Sequence, residues 1–189
     1  MPVLGIFASQ ITGKLYAPTG SMYHIASTTL SSAAADVTFS SIAADYTHLQ
    51  IRFFAAGTLA SADHVGLAMV VNTDTAANYS LHLLTGDGSS ASADGASGSS
   101  SISGLPRIPA PPTNASVFGA GVIDILDYAN TSKYKTTRSL GGNDRNGAGT
   151  IRFSSGNWRN TAAITSLKLY VADGGNLATY SSFSLYGVK

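Results

Sequence analysis

No cysteine occurs anywhere in the 189 residues, which excludes disulfides, thiolate-bound metals and cysteine nucleophiles together and leaves the redox compartment unspecified. Charge is scarce as well. Asp, Glu, Lys and Arg make up 11% of the chain, against about 25% in typical soluble domains. Lys plus Arg, at 11, nearly balances Asp plus Glu, at 10. The basic residues are scattered, so nothing resembles a footprint for a phosphate backbone, and nucleic acid is not an expected partner. Hydrophobic stretches are short and never approach the roughly 18 consecutive residues a membrane-crossing helix needs. The apolar opening, Met1 to Ala8, lacks the basic flank of a secretory leader, so neither signal-peptide export nor membrane insertion is expected, and the protein is read as soluble. Heptads and internal repeats, the usual material of a projecting shaft, are missing too.

What fills the chain instead is Ser, Thr, Ala, Gly and Asn around 44% hydrophobic residues. A chain of this length buries roughly 70% of the surface its unfolded form exposes, enough for one core without staples. The neutral polar remainder is cheap to cover, because hydroxyls and amides cost far less to desolvate than unpaired ions. Such a surface suits a molecule surrounded by neighbours.

Strand signals recur as β-branched and aromatic residues in period-two alternation, broken by Gly, Asn, Asp and Ser. VTFSSI from Val37 opens the series, and Leu49, Ile51 and Phe53 then alternate with His48, Gln50 and Arg52. From His64, the residues Val65, Leu67, Met69 and Val71 form the next run, followed by Tyr79, Leu81 and Leu83. Residues 85–104, TGDGSSASADGASGSSSISG, carry almost no apolar side chains and read as a long Ser/Gly-rich surface loop. LPRIPAPP follows with four of the six prolines, favouring an extended, edge-like passage. Val117 to Leu126 is the richest apolar run and predicts a central strand buried on both faces. A turn at Asn130 to Ser132, a strand through Tyr134, Thr136 and Arg138, and a tight loop at GGNDRNGAG come next. Ile151 and Phe153, Ile164 to Val171 and Tyr180 to Val188 complete the set. The sum is about nine strands in an all-β antiparallel sandwich of jelly-roll type, with an up-and-down barrel as the second choice. Residues 16–189 form its single domain, preceded by an extended N-terminal arm or first strand over residues 1–15.

Candidate chemistry is thin. His24, His48, His64 and His82 lie on separate predicted strands, with none of the spacings that converge ligands on a metal. Serine is plentiful, but no GxSxG elbow marks a nucleophile. Asp124 and Asp127, three apart on a strand, point to opposite faces, and Asp124 is expected to be held by backbone amides. Asn143, Asp144 and Asn146 faintly resemble a calcium loop but lack a distal bidentate Glu, so a plain turn is preferred. GAGVID at 119–124 lacks the third glycine and the following helix of a dinucleotide site. No catalytic residue, metal or cofactor is expected. The sharpest binding candidate is Trp158, the one tryptophan, which with Asn157 and Arg159 could stack on a glycan; the plainer reading is a tryptophan filling the sandwich end or an interface. The arm offers Ile6, Phe7, Ile11 and Leu15 as contact residues that could add to the sheet edge of a neighbouring copy. Tyr180, Phe183 and Tyr186 are a second candidate contact patch.

Several segments in their order resemble a family of small tailed-bacteriophage virion proteins of the cyanophage and marine-phage type. They are GIFASQITGKL, TFSSI, YTHLQIR, NYSLHLLTGDGSSASA, FGAGVIDILDYANTSKYKTTRSLGGND, SGNWRNTAAITSLKL and YSSFSLYGVK. The match runs over nearly the whole chain. The resemblance implies a capsid-associated or tail-fibre-like component of the virion, without an active site to carry over. The expected partners are copies of itself, with a trimer as one arrangement, and the major capsid protein or tail and baseplate proteins. Capsid decoration is preferred over a tail-fibre or baseplate subunit that binds host glycan, because a projecting fibre needs a shaft that this chain does not contain.

Overall fold

The computed structural model describes residues 20–110 and 116–189, and in them the chain forms twelve strands and no helix. The strands are β1 (Met22–Thr29), β2 (Asp36–Phe39), β3 (His48–Ala55), β4 (His64–Val71), β5 (Tyr79–Gly86) and β6 (Ala91–Ser99), then β7 (Arg107–Pro109), β8 (Gly119–Leu126), β9 (Lys135–Asp144), β10 (Gly149–Trp158), β11 (Leu167–Val171) and β12 (Ser182–Val188). They make an eight-stranded sheet in the order β1-β12-β3-β8-β9-β10-β5-β6 and a four-stranded sheet in the order β2-β11-β4-β7. Every pairing is antiparallel.

Eight of these strands build the two layers, the chain crossing from one to the other at each step except from β4 to β7, which are neighbours in one sheet. β1-β12-β3-β8 forms one wall and β2-β11-β4-β7 the other, which is the jelly-roll arrangement the alternation predicted. Two hairpins are added to it. β5–β6 is inserted between β4 and β7, β9–β10 between β8 and β11, and both extend the same wall. Two strands are new relative to the sequence reading, β1 and β6. β7 is the proline-bearing edge passage at residues 107–109, whereas β6 overturns the expected loop at 85–104. The segment pairs with β5 from Tyr79↔Ser99 to Gly86↔Ala91 although it buries almost nothing. Its backbone hydrogen bonds, which composition does not report, hold it there.

The core draws on both walls. Leu49, Ile51 and Phe53 of β3, Ile123 and Ile125 of β8, and Phe183 and Leu185 of β12 join Leu67, Met69, Leu167 and Leu169 of the opposite sheet in one cluster. β4 is the strand buried on both faces, from Val65 to Val71. β8 is central in its sheet but buries only one face, so Ala120, Val122 and Asp124 look outward. The loop expected at GGNDRNGAG is a four-residue turn, because residues 141–144 and Gly149 belong to strands. Arg145 N donates to Ala148 O at 2.6 Å, and Asn146 and Gly147 take the positive φ values, 58° and 100°.

Among the described residues no complete strand layer lies behind the added part of the wide sheet, and residues 101–106 help to cover it. Ile102 exchanges two 3.0 Å backbone hydrogen bonds with Met69, and Leu105 is fully buried. A side chain at Gly156 would put its Cβ 2.8 Å from Ile102 Cγ2, so glycine is required for this approach. Beneath the cover lies a polar seam. Ser139 and Ser154 share a 2.6 Å hydrogen bond, and Arg152 donates through Nε to Thr85 Oγ1 at 3.1 Å.

Candidate interaction surface

The orientation of β10 decides what the molecule presents. Trp158, at its end, is 1% exposed and donates through Nε1 to Asp74 Oδ2 at 2.8 Å. With Trp158 and Gly156 inward, period two turns Arg152 and Ser154 inward as well, and Ile151 and Phe153 outward. Ile151 is 59% exposed and Phe153 52%. Phe153 stands opposite Leu84 of β5 on one side and Leu140 of β9 on the other. Leu140 in turn stands opposite Val122 of β8. Leu84 and Leu140 are 53% and 46% exposed. The result is an apolar band across four strands of the outer face, with Ile151 beside it. On β3 the direct partner of Val122 is Arg52, and the exposed Phe54 lies two residues along, opposite Ala120 and stacked on Phe118 with centroids 4.9 Å apart.

A polar band runs parallel to it. His82, Ser155, Arg138, Asp124, Gln50 and Tyr186 succeed one another from β5 to β12 by direct cross-strand pairing. Asp124 is held by side chains, not by the backbone amides expected of it. Gln50 Nε2 donates to Oδ1 at 2.8 Å and Arg138 Nε to Oδ2 at 2.9 Å. Arg52 donates to Gln50 Oε1 at 3.0 Å and lies over the Tyr186 ring, which meets His24 edge-on. Arg138 and Asp124 thus form an ion pair in this row, while Arg52 is held by the Gln50 amide oxygen and the Tyr186 ring.

The remaining sequence candidates separate. Trp158 is a core residue that ties β10 to the turn after β4, so the stacking platform for a glycan is overturned. Asn157 reaches the Lys135 carbonyl at 3.4 Å, and Arg159 donates to the Ala77 carbonyl at 2.7 Å. Phe183 is fully buried and stacks on Phe53, which removes it from the contact patch, because on β12 its odd-numbered neighbours face the core. Tyr186 sits half-buried on the outer face. Tyr180 is 73% exposed and lines, with Phe118 and Pro109, a recess at the end of the sandwich. Ile6, Phe7, Ile11 and Leu15 lie outside the described residues.

The histidines stay apart. His24 Nε2 is 2.7 Å from Ser27 Oγ, His48 Nδ1 accepts from Asp127 N at 3.0 Å, and His82 is exposed on β5. His64 lies near Arg107, Arg145 and Arg152, and burial together with their charge lowers its pKa. Asp144 Oδ1 accepts from Asn146 N at 2.8 Å, which closes the turn once likened to a calcium loop. Among the described residues no three His, Asp or Glu side chains gather where a metal ion could sit. No family model, curated protein or solved structure matches the chain.

The outer band was missed in the sequence because alternation gives two faces without saying which is inner. The signal that resolves it is the lone tryptophan: Trp158 has even parity with Arg152, so Ile151 and Phe153 had to point away from it.

Proposed function

We propose that this protein is a non-enzymatic structural component of a bacteriophage particle, a decoration or cement protein that covers the head and holds it through the outer face of the wide sheet. The observation that carries the reading is the band Leu84, Phe153, Leu140 and Val122 with Ile151 beside it, a contiguous apolar surface on a sheet face over which no strand or loop of the described residues packs. Exposed apolar patches of this kind mark interaction sites. Covering them gains roughly 25 cal/mol per Å². The weakly charged surroundings keep the desolvation penalty low. A subunit that binds the assembled shell but not its free parts stabilises the shell by mass action. The jelly-roll frame and the resemblance to phage virion proteins point the same way. The alternative, a tail-fibre or baseplate subunit binding glycan, loses its aromatic platform with Trp158 buried.

The reading is tested by electron microscopy of particles labelled on this protein. Label over the head in a regular lattice is expected. Label confined to the tail, or absent from particles, overturns it, as would hydrolysis of a polysaccharide abolished by one Asp or His substitution.

A further inference from the structure

A sheet edge is a row of unpaired N–H and C=O groups, and proteins blunt such rows with shortness, proline, charge or bulges. The described residues form four edges, and three are blunted. β7 has three residues and ends in Pro109. β2 has four. β1 is interrupted by an irregularity between His24 and Ala26. β6 is different. It has nine residues with no proline, no basic side chain and a single acid, Asp94. Its one irregularity falls at the far end, opposite Tyr79 and Ser80, so residues 91–97 follow β5 in unbroken register. Apart from Ser99 every residue of β6 is exposed, on both faces of the sheet. Among the described residues only β5 pairs with this strand, and little burial offsets the entropy of ordering it.

We propose that β6 pairs antiparallel with β6 of a second copy about a two-fold axis normal to the sheet. The strand's own sequence suits this partner and disfavours the register centred on Asp94. Such an axis keeps inner faces on one side and outer faces on the other, so only residues of like parity can oppose each other. Centring it on Gly95 sets Asp94 opposite Ala96 of the second copy and Ala93 opposite Ser97. Shifting the centre to Asp94 would set like charges directly against each other, which is destabilising. No side chain of β6 exceeds Asp94 in size, so the two edges meet without a clash on either face. The pairing joins two eight-stranded sheets and brings both apolar bands to the same side, a bivalent surface whose two contacts reinforce each other. It needs no particle and so goes beyond the function proposed above. It is also a closed pair in place of the trimer considered from the sequence.

Sedimentation of the full chain over a concentration series tests it. The unaltered protein is expected to reach twice the monomer mass. The double variants A93K/S97K and A93E/S97E place like charges opposite each other and are each expected to stay monomeric, and their equimolar mixture to recover the paired mass. Circular dichroism matching the unaltered protein separates lost pairing from lost folding. Backbone amides of residues 91–97 are expected to exchange more slowly at high than at low protein concentration. A monomer at all concentrations, a paired A93K/S97K variant, or a mixture that stays monomeric overturns the proposal. So does pairing that disappears when residues 1–15 are removed and survives in A93K/S97K.

Discussion

Trp158 Nε1 donates to Asp74 Oδ2 at 2.8 Å, fastening the end of β10 to the turn that follows β4. The same carboxylate accepts from Asn78 Nδ2 and from Ala76 N, each at 2.9 Å. Asp74 O accepts from the buried Tyr79 hydroxyl at 2.7 Å, and burial pushes that phenol's pKa up to about 12. Replacing Trp158 with Phe deprives the carboxylate of a donor and is expected to lower stability by about 1–3 kcal/mol. Trp158→Ala adds a cavity and is expected to cost about 3–5 kcal/mol. Urea unfolding followed by circular dichroism measures both.

Hydrogen bonds from Asn78 and Trp158 hold the Asp74 carboxyl below its ordinary value of 3.8. A carboxylate with a depressed folded pKa contributes stability that is full above its unfolded pKa and is lost as pH falls through the folded one. The acid limb of the stability profile below about pH 4 should therefore flatten in Asp74→Asn. Urea midpoints measured down the acid range test this; parallel limbs in the two proteins would contradict it.

His64 acts in a different window. Burial, then the charges of Arg107, Arg145 and Arg152, lower its pKa from 6.5. Between the folded value and 6.5 the unfolded chain binds more protons, so stability rises with pH across that interval and falls when acid is added through it. His64→Gln should remove this slope while leaving the limb of Asp74 in place. Proton resonances of the four imidazoles, followed through titration, locate the shifted one.

Lys135 is fully buried and its Nζ donates to the carbonyls of Asn130, Lys133 and Thr161 at 2.5, 2.9 and 3.0 Å. Methionine fills the same space but leaves these acceptors without their donor. Lys135→Met is expected to lose about 1–3 kcal/mol and to speed amide exchange around residues 130–133. Unchanged exchange would mean that the ammonium does not pin the turn.

Phe153→Asn alters only an outward side chain and is expected to keep the folding free energy within about 0.5 kcal/mol. Binding to particles should nevertheless fall sharply. Deletion of residues 1–15 is also expected to abolish particle binding while the sandwich stays folded. Occupancy on purified heads, measured for each protein, tests the two expectations separately, and full occupancy by either variant removes that element as a source of attachment.

Much of the fold was legible in the sequence. The alternation at Leu49, Ile51 and Phe53 fixed a core strand, since His48, Gln50 and Arg52 left one choice of inner face. Residues 107–109 betrayed an edge through their proline. β6 was illegible because a strand held by backbone hydrogen bonds alone has no side-chain signature, and Ser, Ala and Gly look the same in a loop. The surface was half legible. Tyr180 and Tyr186 do lie at the surface, but Ile151 and Phe153 resembled core residues, and Phe183, which does lie in the core, resembled a contact residue. Both errors share one cause: the phase of a strand is set by what lies behind it, here Ile102 over Gly156 and Phe53 beside Phe183, and such long-range neighbours leave no mark on local pattern.

The two added hairpins are not interchangeable. β9 grows directly from β8, whereas β5–β6 reaches the wide sheet only through β10. A shorter relative could drop residues 79–99 and still possess a continuous wall, but one lacking β9 and β10 would leave β5–β6 stranded with no ladder to climb.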